Sequence, residues 1–394
     1  MDFTNVSKQM SSKLQAILPK IAGPGSAPIV DLSVAENDLL RGELVAFIKQ
    51  AINNNLRIEP NHIIPASGAG NALDSLLCSI CDAGDRVLVA GPCWDGFAPY
   101  FLIHATATPI IVTTKYLETA TEIDIVDALK AAYHADPHPQ RIKAVVVTNP
   151  NNPLGRCYPR NVLRECLSFC DAQGLHFVSD EVYAMSSFLS DDTDSPPFIS
   201  ALSMLSTVPV AMASRVHVAW SMSKDFGCSG IRLGCIVSQF NHTLRTASIL
   251  SSYWQISSLT SIAATTLLNS PGLPSLMQRN SARLGASYRL LTAGLTRLCI
   301  TYIAATHGLF VFVQLAPGCG SAREETAAVE WLAQRGLAVA QGQRFMGAAG
   351  AGAGIPVWGW VRITFSTSAE RIARALDVVE EFRRDFNWGV GEGE

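Results

Sequence analysis

The densest chemistry in the chain lies in Ser221-Met222-Ser223-Lys224-Asp225-Phe226-Gly227-Cys228-Ser229-Gly230-Ile231-Arg232-Leu233-Gly234, where hydroxyls flank a lysine and an arginine follows eight residues later. A solvated surface lysine needs no such setting. A lysine meant to form an imine must lose its proton, and its free pKa of about 10.4 falls with burial and a nearby cation. Four further places carry polar residues directly after, or inside, apolar runs. Ser67-Gly68-Ala69-Gly70-Asn71 is a small-residue turn opening a helix-like segment, where backbone N–H groups and the helix dipole can meet a phosphate. Alone it reads as a plain tight turn. Asn149-Pro150-Asn151-Asn152-Pro153-Leu154-Gly155 uses two prolines to fix the backbone and hold an Asn side chain rigidly at a sheet edge. Ser179-Asp180-Glu181-Val182-Tyr183 sets a carboxylate at a strand end with a phenol three residues on, and alone reads as acidic bias at a helix start. In Trp360-Val361-Arg362-Ile363-Thr364-Phe365 an arginine interrupts an apolar strand. Arginine is almost never fully buried unpaired, so Arg362 calls for an anion, either a ligand or an internal carboxylate.

The elements that must position these residues are short apolar runs separated by amphipathic stretches: RVLVA at 86–90, PIIVTT at 109–114, KAVVVTN at 143–149, HFVSD at 176–180, VHVAWS at 216–221 and GCIVS at 234–238. Runs this short and rich in Val and Ile are the pattern of strands buried on both faces. They predict an α/β fold with a mostly parallel sheet and helices on both sides, whose ligands sit beyond the carboxyl ends of the strands. After Ser281 a long helical segment to Leu298 leads to strand-like GLFVFVQL, a helix near Glu324–Gln334, the strand WGWVRITFS and a charged terminal helix, an α+β unit. The expected organisation is an N-terminal segment over 1–45 packing with the small domain, a large domain over 46–282 and a small C-terminal domain over 283–394. The Gly/Ala-rich tract 347–354 reads as a flexible loop.

The 394-residue length suggests roughly two or three structural domains, while 48% hydrophobic and 16% charged residues indicate a globular chain. A formal charge of -3 without like-charge runs offers no footprint for nucleic acid or an anionic membrane. Ten cysteines are too sparse for a disulfide scaffold, and MDFTNVSKQM lacks the build of a signal peptide, so a reducing, cytoplasmic compartment is expected. Cys78 and Cys81 form a C-x-x-C with no second pair at zinc-ribbon spacing, so no metal is expected and both read as buried helix cysteines. The uncharged stretch Thr246–Gln278, studded with Ser and Thr and broken by Pro271 and Pro274, is no bilayer span and reads as a buried or interface helix.

With these motifs in place, the chain resembles the fold-type I pyridoxal-phosphate enzymes of the aminotransferase class I/II family, and within it most resembles the 1-aminocyclopropane-1-carboxylate (ACC) synthase branch. The similarity runs from Ala35-Glu36-Asn37 to Arg362. Its most specific piece is S-x-S-K-x-x-x-x-x-G-x-R-x-G, with N-P-x-N-P-x-G and D-E-x-Y upstream. The resemblance implies that Lys224 holds pyridoxal 5′-phosphate covalently and shuttles the α-proton. It implies that Asp180 pairs with the pyridine nitrogen, that Asn152 and Tyr183 hydrogen-bond the ring hydroxyl oxygen, and that Trp94 stacks on the ring. Ala69, Gly70, Ser221, Ser223 and Arg232 would surround the phosphate, and Arg362 would clamp the substrate α-carboxylate. Glu36 takes the place where the ACC synthase branch sets an acidic side chain near a sulfonium. The family also implies a homodimer.

The resemblance breaks after Asn37. Relatives of the ACC synthase type carry a longer insertion with a tyrosine that reaches the neighbouring subunit's phosphate, whereas no tyrosine occurs here between Met1 and Trp94. That contact is missing or replaced. Transamination of an α-amino acid is therefore the first reading. An ACC synthase-like lyase or γ-substituting enzyme using S-adenosylmethionine, or another amino acid with a γ leaving group, is the alternative. A pyridoxal-phosphate-binding regulator without activity, and decarboxylase, aldolase or racemase chemistry, rank below both.

Overall fold

The computed structural model describes residues 58–103, 105–190, 195–252, 256–347 and 358–386. Seven strands form the larger sheet: β1 (Ile63–Ala66), β2 (Arg86–Ala90), β3 (Thr108–Val112), β4 (Ile142–Thr148), β5 (His176–Asp180), β6 (Val216–Ser221) and β7 (Gly234–Val237), in the order β1-β7-β6-β5-β4-β2-β3. The pairs from β3 through β6 are parallel, while β7 runs antiparallel to both of its neighbours. Helices α1 (Ala69–Ile80), α2 (Phe97–Ile103), α3 (Ile123–Ala135), α4 (Arg160–Gln173) and α5 (His242–Ser252) cover it.

The valine-rich runs are strands because both faces are buried, and β4 makes this plain. Val145 and Val147 enter one apolar core with residues of α3 and α4, while Ala144 and Val146 enter the opposite core with residues of α1 and α2. Alternation with period two thus serves two cores instead of one core and solvent. Each fully buried valine contributes roughly 1.5 kcal/mol or more. The parallel register brings Thr148 beside Asp180, and Asp180 beside Ala219, so the polar strand ends fall in one row along the carboxyl edge.

A four-stranded antiparallel sheet follows, built from β8 (Tyr302–Ile303), β9 (Phe310–Gln314), β10 (Ala340–Gln341) and β11 (Trp360–Thr364) in the order β10-β11-β9-β8. Val311, Val313, Val361 and Ile363 pack on Leu291, Leu295, Leu332 and Leu376 of helices α7 (Leu273–Arg297), α8 (Ala322–Gln334) and α9 (Ala369–Asp385). The other face presents Phe312 and Trp360, stacked at 5.2 Å, to Leu154 of the Asn-Pro loop. That loop is gripped by backbone bonds from Thr306 and His307 to the Gly155 carbonyl, so the two sheets meet where the N-P-x-N-P-x-G motif lies.

Three features depart from expectation. Thr246–Gln278 is not one helix: it takes in part of α5, all of α6 (Ser258–Leu268) and the first turn and a half of α7. Pro274 occupies the first turn of α7, where no intrahelical N–H is needed, so it opens a helix instead of breaking one. The strand Ile63-Ile64-Pro65-Ala66 went unread, being four residues long with a proline inside. The N-terminal segment 1–45, and the Gly/Ala-rich tract beyond Gly347, lie outside the described residues.

Candidate active site

A cleft of about 320 Å³ opens at the carboxyl edge of the large sheet and is closed on its far side by β9 and β11. Eleven of the twelve residues singled out from sequence line it: Ala69, Gly70, Trp94, Asn152, Asp180, Tyr183, Ser221, Ser223, Lys224, Arg232 and Arg362. The twelfth, Glu36, lies outside the described residues.

Lys224 sits on a one-turn helix, Met222–Asp225, that Ser221 opens by accepting a hydrogen bond from the Ser223 N–H at 3.1 Å. The Ser221 hydroxyl donates to the Leu233 carbonyl at 2.9 Å, and the two serine hydroxyls lie 2.7 Å apart. Lys224 reaches open space in the cleft. The surrounding walls strip water from it and lower its pKa, the Arg362 guanidinium lowers it further, and Asp180 opposes both. An amine in this setting loses its proton more readily than a surface lysine.

Asp180 ends β5 and is buried. Desolvation pushes its carboxyl up to about 7, against the pull of the Val182 N–H at 3.4 Å and the Lys224 charge. A carboxyl held this far from water recovers its charged form when a cation comes to it. Tyr183 is buried against Phe310 in an edge-on pair, and burial raises its phenol well above the usual range.

At the other end, α1 begins after Gly68 with no side chain capping its first turn. Arg232 reaches across this start, donating to the Ser67 carbonyl at 2.7 Å and the Ser229 carbonyl at 2.8 Å. Gly68 adopts φ +98°, a backbone conformation that L side chains rarely take, and a Cβ there would also stand 2.5 Å from the Arg232 Nη2, so the position favours glycine. Arg232 itself adopts φ 59°, ψ 52°, a left-handed backbone uncommon for a side chain of its size. Strain of this kind, of order 1 kcal/mol or more, persists where surrounding structure fixes it. Uncapped amides, two hydroxyls and a guanidinium form a cradle suited to an anion.

Arg362 projects from β11 opposite Phe312, with its guanidinium 5.0 Å from both the Phe310 and Phe345 ring centres. It donates from Nη1 to the Asn152 Oδ1 at 2.8 Å, while its Nε is buried without a partner. No carboxylate pairs with it among the described residues, so of the two anions that its position called for, an internal one is absent there. Asn152 spends its amide oxygen on Arg362, and its NH₂ has no protein partner among the described residues.

The sequence reading missed Thr148, whose buried hydroxyl lacks a partner, and Tyr100 of α2. Tyr100 carried a signal: Phe97 and Phe101 are apolar one helical turn apart and buried, which turns Tyr100 to the open side.

The architecture is that of the fold-type I enzymes. A Thermus thermophilus aspartate aminotransferase double mutant superposes with a TM-score of 0.72 at 22% identity, covering 97% of this chain and 88% of that one. The aromatic aminotransferase from Pyrococcus horikoshii gives 0.72 at 21% identity, with coverages of 98% and 93%. Within that class the chain belongs to the aminotransferase class I and II family, whose model matches residues 34–379. Among relatives, the protein named "Probable aminotransferase aclI" of Aspergillus oryzae is 34% identical over 95% of this chain and 97% of its own. The 1-aminocyclopropane-1-carboxylate synthase of Malus domestica is 32% identical over 69% of this chain and 57% of its own.

No helix among the described residues is long and apolar enough to cross a membrane, and no cluster there could hold a metal ion.

Proposed function

We propose that the cleft binds pyridoxal 5′-phosphate and that the enzyme transaminates an α-amino acid. The observation that carries this reading is a lysine with a loosened proton facing, across one small cleft, a buried carboxyl, an anion cradle and a half-buried arginine that no carboxylate pairs among the described residues. The residues fit the cofactor. Ala69, Gly70, Ser221, Ser223 and Arg232 would hold the phosphate, Trp94 the ring face, Asn152 and Tyr183 the ring hydroxyl oxygen, and Asp180 the ring nitrogen. When bound, the cofactor supplies an aldehyde that condenses with amino groups and a ring that accepts the electron pair released at Cα.

The rest falls to the chain. Asp180, held from water, would keep a proton on the ring nitrogen by ionising beside it. Neutral Lys224 Nζ would take the α-proton and return it at the new carbon, acting as base and then acid. Arg362 would orient the substrate through its α-carboxylate, a planar task that suits a guanidinium better than an ammonium. Phe310 and Leu309, which also line the cleft, would exclude water from this exchange.

A second reading has an observation of its own, the similarity to ACC synthases. In it the same residues break Cα–H, and a γ leaving group departs; Glu36 would then attract the sulfonium of S-adenosylmethionine. The test is to mix the purified enzyme with individual amino acids and with S-adenosylmethionine. Pyridoxamine 5′-phosphate and a 2-oxo acid in stoichiometric amounts support transamination. Methylthioadenosine release that Glu36→Gln abolishes supports the second reading and refutes the first.

We further propose the domain division 1–45, 46–282 and 283–394, with α7 crossing the last boundary, and a homodimer. Leu259 and Ile262 of α6 are 79% and 60% exposed, apolar positions that a partner subunit would cover. Ten free cysteines accord with a cytoplasmic setting.

A further inference from the structure

Tyr100 stands at the anion end of the cleft, and the geometry around it is built. A Cβ on Gly70 would lie 2.9, 3.1 and 3.3 Å from its Cε1, Cζ and Oη, so the phenol lies against the first turn of α1 at the position that carries no side chain. Trp94 packs on it at 5.5 Å with the rings tilted by 42°. The ring is thus held between α1 and Trp94, while the residue is 41% exposed.

Its hydroxyl has no hydrogen-bond partner among the described residues. It therefore lies beside Gly70, next to the uncapped start of α1, with a free donor at the edge of the cleft. Tyr183, the other tyrosine that lines the cleft among the described residues, packs against Phe310 at the opposite end, with Asp180. Amides at a helix start attract an anion but leave its outer oxygens to water or to side chains. A phenol fixed over that turn offers one more donor without losing side-chain freedom, since its ring is already packed.

We propose that Tyr100 donates a hydrogen bond from Oη to the phosphate of the bound cofactor, making it a phosphate-binding residue supplied by the same chain. This rests on the pyridoxal 5′-phosphate reading.

The test compares wild type with Tyr100→Phe, which keeps the ring and its packing. Cofactor-free protein is titrated with pyridoxal 5′-phosphate, with phosphate-free pyridoxal, and with inorganic phosphate as competitor. Bound cofactor is read by absorbance and tryptophan fluorescence, and folding by thermal melting. A hydrogen bond to a charged group predicts about tenfold or greater loss of pyridoxal 5′-phosphate affinity, with weaker competition by phosphate. Affinity for pyridoxal should stay within twofold and the melting temperature should be unchanged. Equal loss for both aldehydes assigns Tyr100 to packing and overturns the proposal, as does affinity for pyridoxal 5′-phosphate within twofold of wild type. A wild type that takes up neither pyridoxal 5′-phosphate nor phosphate overturns the proposal together with the reading beneath it.

Discussion

Replacing Asp180 by asparagine separates its two effects, because they have opposite signs. The amide keeps the size of the carboxyl and an oxygen for the Val182 N–H, but it cannot ionise. In the cofactor-free cleft, burial raises the Asp180 pKa from 3.8 to about 7, which costs its charged form about 4 kcal/mol at ~1.36 kcal/mol per tenfold. A cationic ring nitrogen would offset that cost, and the same pairing would keep the nitrogen protonated. Asp180→Asn removes the group that would hold that proton and is expected to lower the single-turnover rate with an amino acid by about a hundredfold or more, roughly 2.7 kcal/mol. The phosphate cradle is untouched, so cofactor should stay bound. At pH 8.5 the cofactor-free variant should be more stable than wild type by up to ~4 kcal/mol, since it no longer buries a charge. Stopped-flow absorbance reads the first quantity and urea unfolding the second. A rate loss below about tenfold, or a variant less stable than wild type at pH 8.5, would refute the assignment.

Lys224→Ala should abolish covalent capture of the cofactor, seen by mass spectrometry as loss of the borohydride-reduced adduct, while circular dichroism stays native. Arg362→Lys should raise KM for an amino acid by about tenfold or more with little change in cofactor affinity, because an ammonium cannot make two parallel bonds to a carboxylate and also hold Asn152. Asp180, Glu181 and Asp225 have folded pKa values raised to about 7, 7 and 8, so the folded state holds protons that the unfolded state has lost. Stability of the cofactor-free protein should therefore fall as pH rises from about 5 to 8 and level off above that; a flat or rising melting temperature across that range contradicts this. Sedimentation should give a dimer at micromolar concentration, and a fully active monomer would dismiss the interface assigned to α6.

The strands β2 through β7 were legible because a strand buried on both faces writes a continuous apolar run, whatever its neighbours are. The direction of β7 was not. It follows from the connection 222–233, which contains no helix long enough to carry the chain back across the sheet. β8 and β10, two residues each, are set by their partners and leave no pattern of their own. Ten of the eleven candidate residues reached one cleft because motifs at the strand ends of the large sheet share its carboxyl edge, and Arg362 joins them from β11 of the second sheet. Tyr100 escaped because its place on the open side of α2 shows only once Phe97 and Phe101 are known to be buried. The Arg362 to Asn152 bond escaped because it joins positions 210 residues apart.

The reversal between β6 and β7 has a mechanical meaning. Ser221 pairs with Gly234 at its base, and everything between them, including Ser223, Lys224 and Arg232, belongs to a single clasp hinged on two adjacent strands. Lys224 would consequently travel with Ser221, Ser223 and Arg232, though not with Ala69 and Gly70 on α1. A shear of the sheet would carry these four side chains by the same amount, leaving unaltered the distances between them on which a cofactor fastened at both Lys224 and Arg232 would depend.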